Sequence, residues 1–213
     1  MHNPFLLFIS RISICKSKSL LAAALLCAGA LTAQSWQPDT TYGTSNGLTW
    51  VGSNTGAESL WACKPAPDGS LYIGNGHQSM APQYTVLTRL NAYGQADSSF
   101  GNFGKVLIPQ AGLYTIGIQP DGRVLAATHM YYPTVHHNLV SLRRLLPNGQ
   151  VDSTFGKDGK VDAPLGDFWF QTVYAIETLA DGRIFVAGIG QFYEPVIQQL
   201  LISQFLPNGD RDM

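Results

Sequence analysis

The sequence predicts an all-β protein assembled from tandem four-stranded antiparallel repeats, and three observations carry the prediction. Asp-Gly and Asn-Gly corners return at intervals of 53 to 60 residues along a chain of 213. Short apolar runs flank each corner. The composition, with 22 glycines, 12 prolines and 11% aromatics but only 13% charged residues, suits short strands joined by tight turns and argues against disorder.

Three markers recur in fixed order. The first is a D-G corner: PDGS at Pro67–Ser70, PDGR at Pro120–Arg123 and ADGR at Ala180–Arg183. The second is NAYG at Asn91–Gly94, followed by PNG at Pro147–Gly149 and Pro207–Gly209. The third opens on Asp39, Asp97, Asp152 and Asp212, as PDTTYG, ADSSFG, VDSTFG and a final RDM. Self-similarity at one period means stacked units that hide their apolar faces against one another. The corners are expected to be type I′ hairpin turns, which need positive φ at both central residues.

The segments around the corners read as strands a to d. Strand a carries Trp61, Tyr114 and Tyr174 at one position and Cys63, Ile116 and Ile176 two residues on, a period-2 apolar face. Strand b is a continuous apolar run (LYIG, VLAA, IFVA), as for a strand covered on both faces. Strand c is TVLTRL, VSLRRL and LISQFL. Strand d is GKVLI from Gly104 and GKVDA from Gly159, with GLTWV (47–51) as a first copy. Repeats are therefore expected over about 58–108, 112–163 and 171–213. A four-stranded up-and-down sheet of this length is a β-propeller blade. Three blades are fewer than the four to eight that usually close a ring, so the propeller is expected to be incomplete. The pattern would continue past Met213 with an aromatic and Gly, so the chain reads as truncated at its C-terminus, with strand 47–51 available to complete a blade.

The stretches LPNGQVDSTFGKDGKV (Leu146–Val161) and LNAYGQADSSFGNFGKV (Leu90–Val106), with the PDGR and ADGR corners before apolar strands, resemble the delta-60 repeat family of bacterial exported proteins. The resemblance runs from about Pro38 to the C-terminus. It implies a propeller-like fold and no general catalytic activity.

Residues 1–33 read as a signal peptide. Arg11, Lys16 and Lys18 precede the apolar run Leu20–Leu31, and cleavage is expected after Ala30 or Ala33. That run is short for a membrane span. An uncleaved anchor, or a lipoprotein using Cys27, are the rival readings; Leu26 stands where lipoprotein signals carry a small residue. Residues 34–213 would then form the secreted or cell-surface domain, with no membrane span after signal removal. It keeps 10 basic and 14 acidic residues, which gives no sign of a nucleic-acid partner. Cys63 is its lone cysteine, expected to be buried like Ile116 and Ile176.

No catalytic constellation stands out. The a–b and c–d corners share one end of each blade, and the irregular b–c and d–a connections share the other. Loops on a rigid scaffold are where binding usually lives. Candidate ligand-binding residues there are Tyr131, Tyr132, His136, Phe168, Trp169, Phe192 and Tyr193, whose aromatic rings suit an extracellular glycan or protein. His129, His136 and His137 flank one loop without an acidic residue or cysteine, so no metal or cofactor is assigned. The recurring aspartates Asp39, Asp97 and Asp152 are expected to cap turns. Ser45–Trp50 resembles the Asp-box turn of sialidase-like propellers, but Ser45 stands where its aspartate would be. The expected function is a non-enzymatic exported binding or surface-display module. The alternative is part of a glycan-active hydrolase-type propeller whose catalytic residues lie in missing blades.

Overall fold

The structure is a computed structural model that describes residues 39–45, 47–49, 51, 59–77, 84–109, 111–132, 137–162, 164–166, 168–192 and 195–212. The chain divides into Met1–Pro38 and Asp39–Met213, and all described residues belong to the second unit. The expected signal segment lies outside them. Among them, no helix is long and apolar enough to cross a membrane.

The described strands form three antiparallel sheets in chain order. Blade one is β1 (Ser59–Pro65), β2 (Leu71–His77), β3 (Tyr84–Leu90) and β4 (Lys105–Pro109). Blade two is β5 (Gly112–Ile118), β6 (Val124–Tyr132), β7 (His137–Leu145) and β8 (Lys160–Asp162). Blade three is β9 (Phe170–Thr178), β10 (Ile184–Phe192) and β11 (Ile197–Phe205). Each sheet pairs its strands in sequence order. The fold is therefore the expected all-β array of propeller blades, and the ring is not closed. The first strands pack in succession, β1 with β5 and β5 with β9, whereas the backbones of β1 and β9 stay apart.

Segment 47–51, expected as a first d strand, forms none among the described residues. Leu48 instead makes an isolated bridge to Ser45. The Gly43 N–H donates to the Tyr93 carbonyl at 2.7 Å, and Thr49 Oγ1 donates to the Gly94 carbonyl at 2.6 Å, so the segment hooks onto blade one's N-G corner. The b–c connections of blades two and three are shorter than the apolar runs of their strands suggest. The β6–β7 pairing runs out to Tyr132 opposite His137, and β10–β11 to Phe192 opposite Ile197, because backbone ladders extend past the apolar runs.

The corners are not type I′ turns. Gly69 N–H donates to the Ala66 carbonyl (3.0 Å), and only Gly69 has positive φ (81°), not Asp68. Gly122, Gly149, Gly182 and Gly209 repeat the arrangement. This is a type I turn followed by a left-handed glycine. Proline decides it: Pro67, Pro120, Pro147 and Pro207 sit where a type I turn needs φ near −65°, which type I′ forbids. The Asp or Asn side chain then accepts from the N–H two residues on, as Ser70 to Asp68 at 2.9 Å and Gln150 to Asn148 at 3.0 Å.

Each first strand carries a bulge at the same place. The register slips across Trp61 and across Tyr114, and the β9 partners of Ala187 and Gly188 are Ala175 and Val173, skipping Tyr174. The extra residue shifts the alternation. Aromatic and isoleucine therefore do not share a face, contrary to expectation. Leu113 and Ile116 turn toward blade one and Val173 and Ile176 toward blade two, whereas Trp61 and Tyr114 pack forward on the next seam.

The cores are the seams between blades. The first joins Tyr72, Leu87 and Phe100 of blade one to Leu113, Ile116 and Val124 of blade two. The second joins Leu125, Val140, Leu142 and Phe155 of blade two to Val173, Ile176 and Ile184 of blade three. Cys63 is exposed, not buried. It holds the place of Ile116 and Ile176, but among the described residues no blade precedes blade one to cover it.

Candidate functional site

The recurring aspartates cap the third corner. Asp39, Asp97 and Asp152 each accept the backbone N–H and the hydroxyl of the residue two on: Thr41 (2.9 and 2.6 Å), Ser99 (3.0 and 2.7 Å) and Thr154 (3.1 and 2.6 Å). The hydroxyl bond is the main reason that Asp39 and Asp97 are held below the ordinary carboxylate pKa. For Asp152 burial opposes ionisation. The bonds from Thr154 and the charges of Arg144 and Arg123 outweigh it, so its pKa is lowered too.

The same corners hold arginines. Arg89 Nε lies 3.2 Å from Asp97, and Arg144 Nε donates to Asp152 at 2.9 Å, from equivalent positions in β3 and β7. Arg144 is nearly fully buried and stacks 4.4 Å above the Phe155 ring. It also donates to Gln119 Oε1 (3.3 Å) and to the Pro207 carbonyl of blade three. Arg123 donates to Asp152 as well, at 2.9 Å, and to Asp121. A cleft of about 400 Å³ opens here between the corners of blades two and three, lined by Gln119, Asp121, Arg123, Arg144, Asp181 and Asn208. Its charged groups are engaged with one another and with the corners, so the cleft is a clamped seam. Sequence reasoning missed the arginines. The signal was present, because Arg89 and Arg144 both stand five residues before the corner glycine and eight before the aspartate.

A second groove, of about 360 Å³, lies between the first strands of the three blades. Trp61, Cys63, Lys64, Tyr114, Tyr174 and Glu177 line it, and Lys64 Nζ meets Glu177 at 3.0 Å. This is where a propeller has its axis.

The irregular end carries the aromatics the sequence singled out. Phe168 and Phe192 lie with ring centroids 4.7 Å apart, and Phe168 also covers Gly190, where a Cβ would come within 2.5 Å of the ring. Trp169 is 36% exposed and Phe192 41%. Gly166, at φ 109°, bends the chain there, and its carbonyl accepts from Gln171 Nε2 at 2.6 Å. Tyr131 and Tyr132 end strand β6 and are not loop residues; their side chains, His136 and Tyr193 lie outside the described residues. His129 is a strand residue stacked on Tyr114 at 4.4 Å, and burial lowers its pKa. No group of three His, Cys, Asp or Glu that could hold a metal occurs among the described residues.

With this geometry, comparison with protein families gives one match. Residues 119–155 match the family described as "Domain of unknown function (DUF5122) beta-propeller". The match is to propeller repeats. It spans β6, β7 and the Asp152–Phe155 corner with its arginine clamp, so the stretch of similarity is the structural heart of blade two. No curated protein matches the chain.

Proposed function

We propose that the chain is an exported, non-enzymatic propeller-type module of the delta-60 repeat kind, used for binding or surface display. Its irregular end engages a glycan or a protein. One observation carries the reading: Phe168 and Phe192 pair at that end of blade three, with Trp169 next to Phe168 in the chain, and Trp169 and Phe192 are open to solvent. Flat aromatic faces on a rigid scaffold suit sugar rings and protein hot spots. At the opposite end Asp68, Asp97, Asp152 and Asp181 are held ionised by corner hydroxyls, amides and arginines, which ties them to the turns and leaves none of the four suited to act as a general acid. Export rests on the apolar Leu20–Leu31 run behind three basic residues.

The test is a screen of the protein against arrayed glycans and matrix proteins, repeated with W169A/F192A. The reading expects a hit that the double variant weakens at least about tenfold while circular dichroism stays unchanged. Silence across both arrays, or binding indifferent to the substitutions, would contradict it.

A further inference from the structure

His129 is not part of the aromatic end, yet a chain of contacts leads from it to Phe168. Its ring is stacked on Tyr114, with centroids 4.4 Å apart and planes 29° from parallel. On β5 the backbone of Gly112 packs so close that a Cβ there would come within 2.4 Å of the imidazole Cε1. Nδ1 is buried and finds no hydrogen-bond partner among the described residues. In the imidazolium both ring nitrogens carry a proton, so Nδ1–H would be a buried donor without an acceptor. The seated ring therefore suits the neutral form, and burial accordingly lowers its pKa.

Tyr114 carries the contact onward. Its hydroxyl donates to the Gln171 backbone carbonyl at 3.0 Å, which ties the start of β9 to blade two. Gln171 is buried, and its Nε2 donates to the Gly166 carbonyl at 2.6 Å. The same carbonyl accepts the Phe168 N–H at 3.1 Å. Phe168 covers Gly190, the residue opposite Gln171 in the β9–β10 ladder, and its ring centroid lies 4.7 Å from that of Phe192. No charged group faces the imidazole among the described residues. Gly112 and Tyr114 border it on β5, and Val140 stands opposite on β7. Blade three brings Gln171 and Val173 to this seam. Arg143 and Asp162 belong to the other face, where they bond Thr128 and Ser141. Lys64 and Glu177, which share the axial groove with Tyr114, are paired with each other. Tyr131 stands on the His129 face, and its side chain lies outside the described residues.

We infer that His129 is a proton-operated latch on the aromatic end: the neutral ring seats Tyr114 and so holds Phe168 in place, and proton uptake turns the ring out and releases it. The two seatings differ in their affinity for a proton, because only the turned-out imidazolium can give both N–H groups to water. That difference lets pH shift the balance between them. With the imidazole gone, Tyr114 loses the ring it stacks on. Its bond to Gln171 then loosens, and with it the hold of Gln171 on Gly166 and Phe168. As a control of ligand capture, the latch rests on the proposal above that this end is the binding end. Capture is then full near neutral pH and declines below 6.5, the ordinary histidine value.

The test needs no ligand. Nuclear magnetic resonance of the full chain follows the His129 ring and the indole N–H of Trp169, the chain neighbour of Phe168, from about pH 8 to about pH 5. Both signals should move with one midpoint below 6.5, while the strand signal in circular dichroism stays constant. His129→Gln should hold the indole signal still. Tyr114→Phe keeps the stacking ring and deletes only the hydroxyl, so His129 should still titrate and the indole shift should be lost. An indole signal that stays still while His129 titrates in the unaltered chain overturns the inference. So does one that still moves in either variant, or a strand signal that collapses at the same midpoint, which is global unfolding and not a latch. If a variant loses its strand signal, the unaltered chain decides: coincident midpoints support the latch and separate ones contradict it. Silence of the glycan and protein arrays would sink the binding reading and leave this titration unchanged, so the two failures are told apart.

Discussion

At the scale of single residues, the corners carry most of the specificity. Arg144 and Asp152 are both almost fully buried and hydrogen-bonded to each other, and breaking a buried pair leaves an uncompensated charge. Asp152→Asn is expected to destabilise the fold by about 3 kcal/mol in urea unfolding. Asp97→Asn, at the more open Arg89 pair, should cost about 1 kcal/mol in the same measurement. Equal losses would mean that the clamp is not what distinguishes the two seams. Gly122, at φ 82°, sets a second expectation. An added Cβ meets no crowding neighbour there, so Gly122→Ala isolates the left-handed backbone cost, about 1–2 kcal/mol.

Titration belongs to this scale too. Asp68, Asp97 and Asp152 have folded pKa values below the ordinary aspartate value of 3.8, so their contribution is complete above 3.8 and is lost as pH falls through the lower folded values. His129, stacked on Tyr114, is lowered from 6.5 by burial. The unfolded chain binds its proton first, and its contribution holds above 6.5 and declines as pH falls toward the folded value. The unfolding midpoint should therefore drop in two stages on acidification. His129→Gln should remove the upper one; an unchanged upper stage would mean that another group titrates there.

At the scale of elements, the sequence made some things legible and hid others for physical reasons. Corner glycines and the apolar runs of β2, β6 and β10 were readable, because φ demands and period-2 patterns are local. Pro67 and Pro120 should have excluded type I′ turns, since their fixed φ is equally local. The bulges at Trp61, Tyr114 and Tyr174 were not readable, because an extra residue in one strand shows only against its partner's register. Cys63 was misplaced for a non-local reason as well. Burial belongs to the blade next door, which a residue's own repeat does not encode. Of the candidate site, Phe168 and Phe192 came together as an aromatic pair, whereas Tyr131 and Tyr132 fell within a strand because the β6–β7 ladder continues under them. Hydrogen exchange should grade the elements in the same way. Amides of the central strands β6 and β10, paired on both sides, should exchange slowest, and the β11 amides facing away from β10 among the fastest of the strand amides.

At the scale of the whole molecule, stability comes from seams and not from a single core. Each sheet is covered by its neighbour, so contacts run mainly between consecutive blades, as in other repeat architectures. The end faces are then exposed by construction, and they account both for the misplaced cysteine and for the apolar surface of β11. The central claim is that consecutive repeats stack as blades with β1, β5 and β9 innermost. Methyl nuclear Overhauser spectroscopy tests it most directly at the second seam, where Ile176 of blade three packs against Gly117 of blade two, so closely that a Cβ on the glycine would lie 2.5 Å from the Ile176 methyl carbon. The account predicts a strong cross-peak between the Ile176 γ2 methyl and the Gly117 α protons. Intact cross-strand peaks within each sheet with no peak across this seam would contradict it.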